Sequence, residues 1–446
     1  MMKLFGTDGI RGKANQHPMT PDLMIKLGKA IAKHFSNKGK KTRILIGKDT
    51  RLSGYMIEYA LVSGMCSMGA DVLLVGPMPT PAIAHLTKSF AADAGIVISA
   101  SHNPADDNGV KIFGKDGFKL PDNEEKKIEM MIEKDVTDES VVGDRIGKAS
   151  RIDDAQGRYI EFAKASIKNN SLDGIKIILD CANGAAYKVA PLILSELGAE
   201  VIPMGNKPDG LNINQKVGAM HPEVIQKKVV EEKADIGLAL DGDGDRIIMS
   251  DEKGNTVDGD KIMAIIADYW QRQGKMKWAL VATQYSNMGL DIAMKKIGVD
   301  VIRTNCGDRY VVEEMRRGKH RIGGEQSGHI ILLDHATTGD GIIASLYILD
   351  IMKRTGKRLS ELASVMRHLP QVIVNVKVKE RKPIERLDAN KEAKKAQESL
   401  GGTGRVFLRY SGTENKLRVM VEAEDPSEVK RISDSIAKKV KEEIGE

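Results

Sequence analysis

At 446 residues the chain exceeds what one hydrophobic core accommodates, and roughly 100 to 200 residues per domain implies about three or four domains. Its 41% hydrophobic residues supply several packed cores, and 68 Lys and Arg against 62 Asp and Glu leave a formal charge of only +6. That mild excess suits an anionic small substrate rather than a nucleic acid: aromatics are 4%, and the lysine runs at 38–41 and 438–441 lack stacking residues.

Cys66, Cys181 and Cys306 are widely spaced with no CxxC, which argues against a disulfide framework or a structural zinc and reads as buried reduced thiols. The opening Met-Met-Lys-Leu-Phe-Gly lacks a charged region followed by an apolar one, and no apolar run reaches about 18 residues. A cytoplasmic protein is expected, with neither a membrane nor a nucleic acid as partner.

In chain order, residues 4–12 read as an extended segment opening into the Gly-rich turn Phe5-Gly-Thr-Asp-Gly-Ile-Arg-Gly12. Arg11 between glycines could contact a phosphate or sugar, because glycines admit backbone amides to an anion and guanidinium binds it bidentately. Thr20-Pro21-Asp22 starts a helix over 21–35 with apolar Leu23, Leu27, Ala30 and Ile31. A strand at 43–47, a helix at 53–68, a strand at 71–75, a further helix and the strand beginning at Ile96 follow. This alternation describes a layered α/β domain, 1–150. The rhythm restarts with strands at 174–180, around 200 and at 234–240 (domain 151–254), and again at 278–283, 300–304 and 321–324 (domain 255–367). From His368 the order becomes β-α-β-β-α: strand 371–378, helix 386–400, strands 405–410 and 416–424, and a helix capped by Asp425-Pro426. The fold class expected is three consecutive layered α/β domains with mixed sheets plus a small α+β domain, 368–446.

Four stretches carry chemistry. Ile96-Val-Ile-Ser-Ala-Ser-His-Asn-Pro104 is a buried strand whose carboxyl end breaks into a turn, where α/β proteins place ligands. Ser101 precedes His102 directly and has no Gly-x-Ser-x-Gly elbow, so it reads as a serine that carries a phosphate rather than a hydrolase nucleophile. Asp241-Gly-Asp-Gly-Asp245 comes straight off the strand ending at Leu240, and three carboxylates at alternate positions can converge on one hard cation, Mg²⁺ or Ca²⁺. An EF-hand is excluded because Arg246 stands where its loop needs Gly and a strand precedes it. Glu325, Ser327 and His329, set among small residues, offer an acceptor, a hydroxyl and a titratable ring to a polyhydroxylated ligand. Arg409-Tyr-Ser-Gly-Thr-Glu414, with Arg418 beyond, places Ser411, Gly412, Thr413 and two guanidinium groups around one turn, a cradle for a dianionic phosphate.

Ser99-Ala-Ser-His-Asn-Pro104 together with Asp241-Gly-Asp-Gly-Asp-Arg246 resembles the α-D-phosphohexomutases, and the likeness runs from Lys3 to about Asp434. It is nearest to the branch acting on glucosamine phosphates, with Phe5-Gly-Thr-Asp-Gly-Ile-Arg-Gly and Gly324-Glu-Gln-Ser-Gly-His favouring that branch over phosphomannomutases and phosphoglucomutases. The resemblance implies one Mg²⁺ on Asp241, Asp243, Asp245 and the phosphate of Ser101, and sugar contacts from Glu325 and Ser327. It implies a phosphate loop at 409–413, from which Tyr410 and Asn415-Lys416 depart in sequence. It implies exchange of a phosphoryl group between sugar 6- and 1-positions through glucosamine 1,6-bisphosphate, feeding amino-sugar nucleotide and cell-wall precursor synthesis. Proton transfer falls among His102, Lys111, Arg246 and His329. Lys111 stands where the family has a catalytic-site lysine, and a cation and arginines nearby would lower its pKa. His102 and His329 are then phosphate or sugar contacts. The readings from other classes are a metal-dependent phosphatase, which would use an aspartate nucleophile, and a non-catalytic sugar-phosphate or metal binder, which predicts a damaged serine or Asp triplet where neither is damaged. Monomer and homodimer both remain open.

Overall fold

The computed structural model describes residues 4–6, 8–36, 40–134, 140–411 and 415–446. Three mixed α/β sheets precede a small antiparallel one. The first sheet has the order Ile10–Lys13, Asp107–Gly114, Ala94–Ile98, Arg43–Lys48, Asp71–Pro77, Ala149–Arg151. Every residue of Ala94–Ile98 is buried, because helices cover both faces. On one side Leu27, Ile31, Ile57 and Leu61 pack with Ile44, Ile46 and Ile96. On the other, Gly47 and Gly95 leave room for Ile83 and Thr87. A strand buried on both faces reads as a continuous apolar run, and this one does.

The second sheet runs Thr256–Val257, Ile247–Asp251, Ile236–Leu240, Lys176–Asp180, Glu200–Met204, and the third Val301–Thr304, Leu280–Thr283, Ile322–Gly324, Ile330–Leu332. In each of the three sheets a strand that pairs in parallel with its predecessors turns back into an antiparallel partner. The connections are residues 99–106, 241–246 and 325–329, and all three candidate loops of the α/β domains are such hairpin connections.

Two elements differ from the sequence reading. The segment 4–12 turns first, with Gly6 bridged to Gly9, and only then extends as Ile10–Lys13. Gly9 has φ +80°, and a β-carbon there would lie 2.3 Å from the Val110 carbonyl, so the chain must bend before it can pair. The thiols also differ in part: Cys181 is buried, but Cys66 and Cys306 are half-buried.

The backbone forms two compact units, one running to Tyr285 and resuming over Val299–Val365, the other joining Ser286–Gly298 to Met366–Glu446. In the second unit Gln371–Lys377, Lys416–Glu422 and Arg405–Tyr410 form an antiparallel sheet against helices Asp388–Leu400 and Pro426–Ile444. Asp425 caps the last helix by accepting from Ser427 N at 2.9 Å. Asn287 caps the helix Met288–Lys296 and exchanges hydrogen bonds with both backbone groups of Leu369, which ties that helix to this unit. Among the described residues no helix is long and apolar enough to cross a membrane.

Candidate active site

Ser101 is 1% exposed at the turn after Ala94–Ile98. Its Oγ donates to Asp241 Oδ2 at 2.6 Å and lies 3.3 Å from His102 Nδ1. The serine loop and the acidic loop, 140 positions apart, therefore meet at the Ser101 hydroxyl. Close approach requires glycine: a β-carbon at Gly242 would sit 2.6 Å from the Ser101 carbonyl oxygen, and Gly244 has φ +69°.

Asp241, Asp243 and Asp245 are buried, with ligand oxygens within 4.8 Å of one another. Burial and the neighbouring Asp245 and Asp243 push the Asp241 carboxyl well above the usual range. Burial opposes ionisation of Asp243 too, but Lys111, Thr80 and Arg11 outweigh it and hold that carboxyl well below its usual range. Thr80 does so directly, donating from Oγ1 to Asp243 at 2.7 Å. One oxygen each of Asp243 and Asp245 is buried without a hydrogen-bond partner. Buried polar atoms are nearly always satisfied, so two orphaned carboxylate oxygens beside a third carboxylate fit a hard, oxygen-liganded cation such as Mg²⁺.

Lys111 comes from the antiparallel strand Asp107–Gly114 and is 2% exposed. Its Nζ donates to Asp243 at 2.8 Å and stands 3.5 Å from Asp245 and 3.7 Å from Asp8. The expectation of a lowered pKa does not hold. Burial acts to lower it, but Asp243 and Asp245 outweigh burial and raise it. Burial, with Arg246 and Arg11, pushes His102 down to about 4, so that ring is neutral near pH 7.

The site extends beyond the residues read from the sequence. Asp8 pairs with Arg11 and Lys119, and Lys119 reaches on to Asp308 at the start of helix Asp308–Gly318. Lys111, Asp8, Lys119 and Asp308 are thus a chain of alternating charge, and His329 Nε2 stands 3.6 Å from Asp308 and 3.8 Å from Asp245. Asp308 and Lys119 had no motif to mark them. Glu325 Oε1 accepts from Gly307 N at 3.2 Å, and Ser327 is exposed at the tip of the same hairpin. Arg246 donates from its backbone to Asp241 at 3.2 Å, with its guanidinium 3.8 Å from Asp245. Ser101, His102, Lys111, Arg11, Arg246, His329 and the three aspartates are joined in this network.

In the second unit Arg409 and Arg418 are register partners on adjacent strands, with Asn375 opposite Arg418 on its other side. Arg418 Nε is buried without a hydrogen-bond partner. Like charges directly opposite one another are destabilising, and an anion between them would relieve this. Ser411 N donates to Lys416 O at 2.8 Å, and its carbonyl accepts from Arg381 at 2.8 Å. Gly412 and Thr413 lie outside the described residues.

Family models for α/β/α domains I, II and III of phosphoglucomutase/phosphomannomutase match residues 2–139, 157–254 and 258–369, and the model for its C-terminal domain matches 373–439. The chain belongs to the phosphoglucomutase/phosphomannomutase family. Among its relatives, a phosphoglucosamine mutase of Geobacter sp. (strain M21) is 56% identical over 449 residues, covering 100% of this chain and 99% of that protein. The phosphoglucosamine mutase of Syntrophotalea carbinolica is 56% identical over 448 residues, covering 99% and 98%. A phosphoglucomutase/phosphomannomutase family protein from Burkholderia thailandensis has the same fold, with TM-score 0.80, 22% identity and coverage of 99% of this chain and 98% of that one. So does the Aspergillus fumigatus N-acetylphosphoglucosamine mutase, solved with GlcNAc-6P and magnesium, with TM-score 0.67, 19% identity and coverage of 99% and 96%. The three α/β/α family models fall on the three mixed sheets and the C-terminal model on the small antiparallel one.

Proposed function

We infer that the chain is an isomerase that interconverts glucosamine 6-phosphate and glucosamine 1-phosphate, with Ser101 carrying the phosphoryl group. The observation that carries this reading is Ser101 Oγ at 2.6 Å from Asp241, beside two carboxylates with orphaned oxygens and the buried Lys111. Asp241, Asp243, Asp245 and a phosphate oxygen on Ser101 would hold one Mg²⁺, which would supply positive charge against the transferred phosphoryl group.

Lys111, cationic between Asp243 and Asp245, gives its proton to Ser101 Oγ as the P–O bond to serine breaks. The amine so formed takes the proton of the sugar hydroxyl that attacks phosphorus, and glucosamine 1,6-bisphosphate results. The bisphosphate reorients, Ser101 Oγ attacks its other phosphate while Lys111 gives its proton to the departing sugar oxygen and takes the serine's, and the isomeric monophosphate leaves. His102, neutral and 3.3 Å from Oγ, and His329 contact the phosphate or sugar. Glu325 and Ser327 bind the sugar, and a carboxylate facing an ammonium favours glucosamine over glucose. Arg11 and Arg246 bind anionic oxygens near the carboxylates, and Arg409, Ser411, Gly412, Thr413 and Arg418 hold the distal phosphate. Glucosamine 1,6-bisphosphate also serves as activator by loading Ser101. The product supplies amino-sugar nucleotides for cell-wall precursors in the cytoplasm.

Turnover measured on glucosamine, glucose and mannose 6-phosphates tests the substrate. The expected result is the highest kcat/KM on glucosamine 6-phosphate; equal or higher values on either neutral hexose would overturn the assignment.

A further inference from the structure

Reading Ser101 as the phosphoryl carrier leaves open what fixes its backbone. Ser101 has φ +53°, a left-handed conformation that a β-carbon disfavours and that persists only where neighbours over-determine it. Both of its peptide groups are held. Its N–H donates to Ser99 Oγ at 2.9 Å, Ser99 Oγ donates to Asp49 at 2.6 Å, and Asp49 accepts from Arg51 Nε at 2.9 Å. Arg51 closes this circuit, donating from Nη2 to the Ser101 carbonyl at 3.0 Å and to that of Asn103 at 2.8 Å.

From the segment matched by the domain II model, Asn214 Nδ2 donates to the same Ser101 carbonyl at 2.9 Å and to that of Asn103 at 3.0 Å. Asn214 is itself buried and left-handed, with φ +59°. Two donors from different domains saturate one carbonyl oxygen, whose two lone pairs are all it has to offer. The metal-binding loop packs on the same point, since a β-carbon at Gly242 would also lie 2.8 Å from Asn214 Nδ2.

We propose that Arg51 and Asn214 are positioning residues for phosphoryl transfer, clamping the Ser101 carbonyl from two domains so that its Oγ stays aimed at the carboxylate cluster. Neither touches Oγ, so their effect falls on the geometry of transfer rather than on sugar binding. The inference rests on Ser101 being the carrier.

Asn214→Gly is the test variant, because glycine adopts the left-handed backbone at 214 without strain and removes the side chain that carries the amide. Asn214→Asp is its companion: it keeps the size, tolerates φ above zero, and when ionised has no donor for the two carbonyls. Parent and variants are loaded with glucosamine 1,6-bisphosphate, and the transfer from phospho-Ser101 to glucosamine 6-phosphate is followed in a single turnover beside KM and Tm. Transfer in both variants is expected to slow by roughly 10²-fold, the scale of a ~1 Å misplacement, with KM within about twofold. Rescue of neither variant by saturating sugar phosphate follows from that split. Transfer at the parent's rate, or a loss confined to KM or to Tm, would overturn the proposal. A parent that never carries phosphate on Ser101 would instead remove the reading beneath it, and that outcome is visible before any variant is compared.

Discussion

Lys111 is buried between two carboxylates, so its removal has two separable consequences. On the proposed mechanism Lys111→Met deletes the proton-transfer group, and kcat should fall by about 10²- to 10⁴-fold in steady-state kinetics. It also leaves Asp243 buried without its cation, which costs on the order of 3–5 kcal/mol and should appear as a lower Tm. A kcat within tenfold of the parent's would remove Lys111 from the proton path. At this scale the residues legible in the sequence are those in contiguous motifs: Ser101, the three aspartates, Arg246, Glu325 and His329. Thr80, Lys119, Asp308 and Asn214 were not legible, because each reaches the site through a contact more than 100 positions away and none has a local pattern, whereas Asp8 stands in the Gly-rich turn that holds Arg11. Asp49 and Arg51 could have been found, since they follow the strand Arg43–Lys48 directly, at the same carboxyl edge as Ser101.

The three hairpins of the α/β sheets show how local structure builds the candidate site. A parallel strand delivers the loop to the sheet's carboxyl edge, and the antiparallel return strand brings back a further side chain, as Asp107–Gly114 brings Lys111. The parallel strands were readable as β-branched runs, but the return strands Asp107–Gly114 and Ile247–Asp251 were not, because Asn, Gly and Asp at their ends mimic turns. Gly242→Ala would force a β-carbon within 2.6 Å of the Ser101 carbonyl, so the two loops must separate. The expected outcome is loss of turnover by more than about 10²-fold in a chain that still folds, checked by kinetics and circular dichroism. Activity near the parent's would show that the loops need not touch.

Helix packing sets one pH dependence. His85, in helix Thr80–Ser89, stacks on Phe162 of helix Ala155–Ala165 at 3.7 Å, and burial, with Lys88, pushes it down to about 4 from 6.5. The unfolded chain therefore binds this proton more readily, so the contribution of His85 is complete above pH 6.5 and is lost as pH falls toward 4. His85→Phe keeps the stack and removes the titration. Its Tm should decline less than the parent's between pH 7 and pH 5 in calorimetry, and parallel declines would contradict the assignment.

Across the whole molecule, the count of three α/β domains and one α+β domain was legible because strand and helix periods alternate along the chain and change at residue 368. The grouping of Met288–Lys296 with the last domain was not, since it depends on Asn287 meeting Leu369, 82 positions on. A metal on the buried Asp triad would link folding to function: a ligand at 100 times its Kd stabilises by about 2.7 kcal/mol. Mg²⁺ should raise the Tm of the first unit and a chelator should reverse it, whereas Asp243→Asn should respond to neither. Identical melting curves with and without Mg²⁺ would argue against metal on this cluster. The most direct test of the central claim is peptide mass spectrometry of the purified chain and of Ser101→Ala, before and after glucosamine 1,6-bisphosphate with Mg²⁺, then after glucosamine 6-phosphate. The account predicts one phosphate on the peptide containing Ser101, discharged by glucosamine 6-phosphate and absent from the alanine variant. An unmodified Ser101 in a chain that turns over, or a phosphate discharged only by glucose or mannose phosphates, would contradict it.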